Sequence, residues 1–234
     1  MDRRAPDSVG MRADSKIEII KCRDMLRPLV LYLMCLSALT VMGQTKLTSE
    51  QEKQVLAKME QSSNALHSLQ CDFVQSKRMK ILSKEMQSKG ILYFKKPDKI
   101  RWQYTTPYDY TFVMNGDKVQ IKSAKSTKNI DIQGNKIFRQ ITTIILNTVT
   151  GGGIKNSADF DVTLFRQGDA YFAKMLPKKK EVKQVYAAIE VYFNPALTMV
   201  ERIKMIEKSG EYTVVKLLSP KMNTTINESI FKVN

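Results

Sequence analysis

Apolar residues recur along the chain with two different periods. Thr48-Ser49-Glu50-Gln51 marks a helix start, with Thr48 as N-cap and Gln51, three residues on, completing a capping box. Val55, Leu56, Met59 and Leu66 then follow at helical spacing and predict a helix packed on a sheet. From Leu69 the period switches to two: Leu69, Cys71 and Phe73 face one way, and Gln70, Asp72 and Val74 the other. Further strands are predicted over 87–95, 99–105, 110–115, 118–123 and 127–132. Asn115-Gly116 joins two of them as a two-residue hairpin turn. Short strands with tight turns predict an antiparallel meander rather than β-α-β units.

The most strongly patterned stretch is Gly90–Tyr104, two alternating strands hinged at Lys96-Pro97-Asp98 and carrying the chain's single tryptophan, Trp102. Residues 135–149 break the strand rhythm. There Ile137, Phe138, Ile141, Ile144, Ile145, Leu146 and Val149 form a helical stripe, intrinsically weak because many are β-branched. Gly151, Gly152 and Gly153 follow as a stop and a flexible hinge. A phosphate loop would instead place such glycines between a strand and a following helix, with Lys-Ser/Thr.

Strands resume over 159–166, 170–176, 185–193, 198–207 and 211–218, with a last run at Ile230–Val233. Turns fall at Gln167-Gly168-Asp169, Asn194-Pro195 and Lys208-Ser209-Gly210. Lys178-Lys179-Lys180 is read as a loop, either a solvated turn or a contact for an anionic membrane or partner. The result is a mainly β (α+β) protein of about eleven strands and two helices, against a usual ~5–6 strands per sheet. Such a sheet must curl, enclosing a side-chain core or a cavity that the helices cover.

The N-terminus adds an address. Pro28–Thr45 carries no charge, Arg27 precedes it, and Val41-Met42-Gly43 suits signal cleavage after Gly43. With Ser37 and Thr40 inside it, the apolar core is too short for a transmembrane anchor of roughly 20 residues. Residues 1–43 are therefore read as an extension plus signal peptide, with Met25 a candidate true start, and 44–234 as one periplasmic domain. Cleavage removes Cys22 and Cys35, so Cys71 stands alone, read as a small core residue. Lipid attachment at Cys35 is disfavoured because Leu33-Met34 lacks the small residues such sites require.

Composition narrows the chemistry. The chain of 234 residues is 43% hydrophobic and 26% charged, with a net charge of +15. Removing residues 1–43, with 7 Lys+Arg and 5 Asp+Glu, leaves +13. That excess suits an anionic partner or simply a lysine-rich surface. His67 is the one histidine, which excludes His-rich metal sites and leaves little room for histidine acid–base chemistry. No Gly-x-Ser-x-Gly elbow, metal-ligand cluster or nucleotide loop occurs, and Asp159 and Asp161 alternate with Phe160 as exposed strand positions. No metal, cofactor or catalytic residue is expected, and export removes the protein from nucleic acid. Binding, not catalysis, is the favoured class.

Phe73-x-Gln75, Gly90-x-Leu92-Tyr93-Phe94-Lys95-Lys96-Pro97, Arg101-Trp102-x-Tyr104-x-x-Pro107, Asn115-Gly116-Asp117-Lys118 and Ile141–Val149 occur in this order. This series, over about residues 47–233, resembles the periplasmic outer-membrane lipoprotein carrier proteins of the LolA type. The resemblance implies an incomplete antiparallel β-barrel, lidded by helices, around a hydrophobic cavity for lipoprotein acyl chains. Phe73, Leu92, Phe94, Ile100, Trp102, Tyr104 and Phe112 would line the cavity, with Ile141, Ile145 and Leu146 on the lid. Core packing is the competing role for each.

Family members often carry Arg before the proline as a latch on lid carbonyls. This chain has Lys96 there, with Arg101 as the other latch candidate. The implied partners are lipoprotein acyl chains, an inner-membrane lipoprotein-releasing transporter and an outer-membrane acceptor, served by a monomer. Carriage of another lipid or glycolipid, or envelope-stress sensing on the same fold, is the alternative. An exported enzyme is a more distant one.

Overall fold

The computed structural model describes residues 43–82, 84–131, 153–155 and 157–233. Residues 1–42 of the expected extension and signal peptide (1–43), the predicted helix within 135–149 with Ile141, Ile145 and Leu146, and the glycines Gly151 and Gly152 lie outside them.

In chain order the elements are β1 (Thr45–Lys46), α1 (Ser49–Ala65), β2 (Ser68–Arg78), β3 (Met86–Lys95), β4 (Lys99–Thr106), β5 (Tyr110–Asn115), β6 (Lys118–Ser123) and β7 (Thr127–Asp131). After these come β8 (Phe160–Gln167), β9 (Ala170–Pro177), α2 (Lys180–Val185), β10 (Tyr186–Phe193), β11 (Val200–Glu207), β12 (Tyr212–Met222) and a 3-10 turn at Glu228–Phe231. The strands form one antiparallel sheet of twelve, ordered β1-β8-β9-β10-β11-β12-β2-β3-β4-β5-β6-β7. It is an open sheet, ending at β1 and β7 rather than closing into a barrel.

Three local expectations change. Ile230–Val233 is not a strand: Asn227 accepts a hydrogen bond from the Ser229 N–H (3.0 Å) and winds the chain into the 3-10 turn, with Phe231 buried. Lys180 opens the short helix α2, so Lys178–Lys180 is only partly loop. A two-residue strand, β1, also pairs with β8 at Thr45–Arg166 and Lys46–Phe165. The predicted capping box is present: Thr48 Oγ1 accepts from Gln51 N at 3.3 Å, and Gln51 Oε1 accepts from Thr48 N at 3.0 Å.

Strict alternation assigns each strand a wet and a dry face. The dry face of β2–β6 carries Leu69, Cys71 and Phe73, then Leu92 and Phe94, Ile100, Met114 and Val119. The dry face of β8–β12 carries Phe160 and Leu164, Ala173, Ile189 and Val191, Ile203, Val215 and Leu217. All belong to one cluster with Val55 and Met59 of α1. The two halves of the sheet therefore wrap around the helix. Burial pushes the Cys71 thiol up to about 12, with the Asp72 charge adding to it. It is an inert core residue rather than a nucleophile.

On the outer face of the sheet, Phe165, Phe172 and Tyr192 form a stacked ladder (centroids 5.1 and 4.9 Å apart), with the Arg202 guanidinium 3.7 Å from the Tyr192 centroid. The C-terminal segment crosses the outer face of β3–β5. Glu228 pairs there with Lys95 and with Lys99 (2.7 Å), and Asn115 donates to the Phe231 carbonyl at 3.2 Å. Upstream, Asn223 accepts from the His67 N–H (2.8 Å) and donates to Ala65 O (3.0 Å). This single side chain ties β12 to the end of α1.

A candidate ligand groove at the mouth of the dry face

The candidate site begins with a missing side chain. A Cβ on Gly90 would lie 2.0 Å from Gln103 O and 2.5 Å from Phe73 Cζ. Only glycine lets the Phe73 ring lie across β3, where it meets Trp102 (centroids 4.7 Å) and, edge to face, Tyr104 (5.1 Å). Tyr110 continues the series at 5.9 Å from Tyr104.

β4 carries a gradient along this face. Ile100 is fully buried, whereas Trp102 and Tyr104 are partly exposed. Cross-strand pairing sets Ile100 beside Phe94 and Met114, Trp102 between Leu92 and Phe112, and Tyr104 between Gly90 and Tyr110. Beyond Tyr104 a groove of about 330 Å³ opens, lined by Gln75, Lys77, Met86, Ser88, Tyr104, Tyr108 and Tyr110. All but Tyr108 stand two-residue steps along the dry face from core positions, where β2, β3 and β5 run out towards solvent.

The expected cavity residues thus divide. Phe73, Leu92, Phe94 and Ile100 are packed core, at 1% exposure or less. Trp102 and Phe112 are partly buried against that core, and Tyr104 lines the groove. Sequence reasoning misses the remaining lining residues. Gln75 enters the sequence reading only through the Phe73-x-Gln75 match and Lys77 and Ser88 not at all; the one signal that marks them is that they continue the dry-face register of Phe73 and Gly90.

The Tyr104 hydroxyl donates to Gln75 Oε1 at 2.9 Å, and burial holds its phenol above the ordinary value. The buried Trp102 indole N–H has no acceptor in bonding geometry among the described residues. Lys77 is paired with Glu207 at 3.5 Å, so the groove presents aromatic faces, amide and hydroxyl groups with little net charge. Such a surface suits the head and upper chain of a lipid, with the apolar interior behind it. Among the described residues no group of His, Cys, Asp or Glu could hold a metal ion.

Lys96 and Arg101 serve different segments. Lys96 Nζ donates to Ser63 O (2.8 Å) and Asn64 O (3.1 Å), carbonyls in the last turn of α1. A cation at that position also meets the negative end of the helix dipole. Arg101 points to the outer face, where it donates to Ile230 O and Gln103 Oε1 (both 3.1 Å). These bonds hold the C-terminal segment against the sheet. Of the glycine hinge, Gly153 is described, with φ +64°. Ile154 follows in the core, and Lys155 donates to Val162 O (2.9 Å) and pairs with Glu52 (2.5 Å), so the chain is anchored right after Gly153.

Similar solved structures are distant. A LolA superfamily protein from Nitrosomonas europaea is 12% identical, over 77% of this chain and 97% of that one, with a TM-score of 0.42. The MucA/MucB complex of Pseudomonas aeruginosa matches at 10%, over 77% and 60%, with 0.47. The lipoprotein LppX of Mycobacterium tuberculosis matches at 13%, over 75% and 98%, with 0.42. No curated protein matches the chain. The family assignment comes from the family model for the outer membrane lipoprotein carrier protein LolA, which matches residues 64–234: this chain belongs to the LolA family.

Proposed function

We propose that this protein is a periplasmic carrier that shields the acyl chains of lipoproteins released from the inner membrane and delivers them to the outer membrane. Membership of the lipoprotein carrier family supports the class. The observation that carries the reading to this chain is the groove at Tyr104, whose ring packs on Phe73, which in turn meets Trp102 at the edge of the apolar core. Each methylene moved from water into that interior contributes roughly 0.8 kcal/mol. Three long chains would bind too tightly to be passed on unless the interior packed against itself when empty. The full burial of Phe73, Leu92, Phe94 and Ile100 is such self-packing.

Loading then requires part of that core to give way. The apolar stripe Ile141, Ile145 and Leu146 is the proposed lid, hinged at Gly151–Gly153, and Lys96 steadies the α1 end against which the interior closes. The proposed partners are an inner-membrane releasing transporter and an outer-membrane acceptor, reached after signal cleavage behind Gly43. The groove's size favours a second reading. At about 330 Å³ it lies near the bottom of the ~300–1,000 Å³ range of ligand pockets, room for a single-chain lipid or a glycolipid head.

Native mass spectrometry of the chain purified from the envelope distinguishes the readings. A co-purified triacylated protein supports lipoprotein carriage, and a free lipid of other structure supports the second reading. Absence of any adduct, together with failure to take up added lipoprotein, refutes both.

A further inference from the structure

The turns at the groove end of the sheet form a rim with its own chemistry. These are the β2–β3 hairpin (79–85), the β4–β5 loop (107–109), the β11–β12 turn (208–211) and the α2–β10 junction. Hydrogen bonds link them: Lys208 N donates to Val185 O (3.1 Å), Lys80 N to a Glu211 carboxylate oxygen (3.1 Å), and the Tyr212 hydroxyl to Glu85 (3.1 Å). Of the eight large hydrophobic residues exposed among the described ones, six sit at this end. They include Ile81 at 84%, Tyr108 at 57%, Val185 at 50%, Leu82 at 42% and Met86 at 40%.

Ile81 and Leu82 stand at the hairpin tip itself, in a turn closed by Leu82 N donating to Met79 O (3.1 Å). Residues 77–89 hold five basic residues (Lys77, Arg78, Lys80, Lys84, Lys89) against one acid, Glu85. Glu207 pairs with Lys77, while Glu85 and Glu211 keep their charge in hydrogen bonds from the Tyr212 hydroxyl and the Lys80 amide. Five basic residues against one acid still leave 77–89 with a net charge of +4, so the tip is basic. Of the Lys178–Lys180 run on the same rim, Lys178 and Lys179 pair with Asp161 and Asp159.

We propose that this rim docks on an anionic lipid bilayer, with Ile81 and Leu82 inserted and the surrounding lysines and Arg78 on the headgroups. Two aliphatic side chains projecting from a basic tip need no shaped pocket to become buried. A fluid interface accepts them without shape complementarity, and anionic headgroups match the collar. Met86 and Tyr108 are both exposed on the rim and part of the groove lining, so docking would bring the groove's mouth to the lipid surface. The proposal concerns this surface and stands whatever cargo the groove carries.

The test uses the full chain as purified from cells, with a reporter tryptophan at the tip: Ile81→Trp in a Trp102→Phe background. The control is Asp169→Trp in the same background, at the β8–β9 turn on the opposite end of the sheet. The probes are phosphatidylcholine vesicles with and without about 30% phosphatidylglycerol. Emission at 81 should shift to the blue and be quenched by lipids brominated high on the acyl chain, on anionic vesicles only, while 169 stays unchanged. In the natural background, Lys80→Glu with Lys84→Glu should weaken binding to those vesicles at least tenfold, and added salt should weaken the unaltered chain. A reporter at 81 that stays in water, one that responds only to a protein partner, or equal responses at both ends would overturn the proposal.

Discussion

Replacing Gly90 with alanine puts one methyl group where the structure has no room for it. The new Cβ would lie 2.0 Å from the Gln103 carbonyl oxygen and 2.5 and 2.6 Å from two ring carbons of Phe73. Neither neighbour can yield easily. The carbonyl belongs to the backbone of the adjoining strand β4, and the Phe73 ring is held between Trp102 and Tyr104 at 1% exposure. Overpacking a core by a methylene costs ~1–3 kcal/mol, and contact with backbone places this case at the top of that range, about 3 kcal/mol. For a domain of this size that corresponds to a loss of roughly 6–12 °C in Tm. Urea unfolding followed by Trp102 fluorescence measures it directly. Adding Phe73→Ala removes the ring contact but not the carbonyl contact, so the double variant should be more stable than the two single losses added together. Gly90→Ala unfolding within ~0.5 kcal/mol of the unaltered chain would refute the packing assigned to the site.

Three further outcomes follow from particular bonds. Lys96→Met should remove both donations to the α1 carbonyls and destabilise the fold by about 1–2 kcal/mol, with faster amide exchange in the last turn of α1, while Lys96→Arg largely restores it. Glu228, held at about 2 by its hydrogen bonds from Lys95 and Lys99, favours the docked C-terminal segment above the ordinary carboxylate value. As pH falls from about 4.5 towards 2 that contribution is lost, and exchange in residues 224–233 should rise before global unfolding. Burial, then the hydrogen bond to Glu190, pushes the Tyr192 phenol up to about 12. The folded state therefore binds more protons between about 10 and 12, stability falls with rising pH across that window, and Tyr192→Phe should flatten the fall.

Period-two alternation is enough by itself to mark the dry face of β2–β6, because the inward strand positions Leu69, Cys71, Phe73, Leu92, Phe94, Ile100, Trp102, Phe112, Met114, Val119 and Ile121 are apolar. Thr48 and Gln51 reveal the start of α1 for an equally local reason. What stays hidden depends on partners distant in the chain. Gln75, Lys77 and Ser88 are polar yet face inward, because their strands end at a mouth that no local pattern marks. Arg101 sits in the best-patterned stretch, but its partner, Ile230, lies 129 positions away, and only the crossing of the C-terminal segment brings it near. Ile230–Val233 has the composition of a strand, but it lies across the outer face of the sheet instead of joining an edge.

The central claim is that acyl chains enter the interior past Tyr104 and come to rest against Trp102. Because Trp102 is the chain's single tryptophan, its emission reports on that spot without ambiguity. Titrating the unaltered chain with a lipoprotein whose acyl chains carry bromine near the terminal methyl should quench Trp102 saturably, and the non-brominated lipoprotein should shift its emission without quenching. Saturable binding that leaves Trp102 emission untouched in both titrations would place the ligand elsewhere and contradict the account.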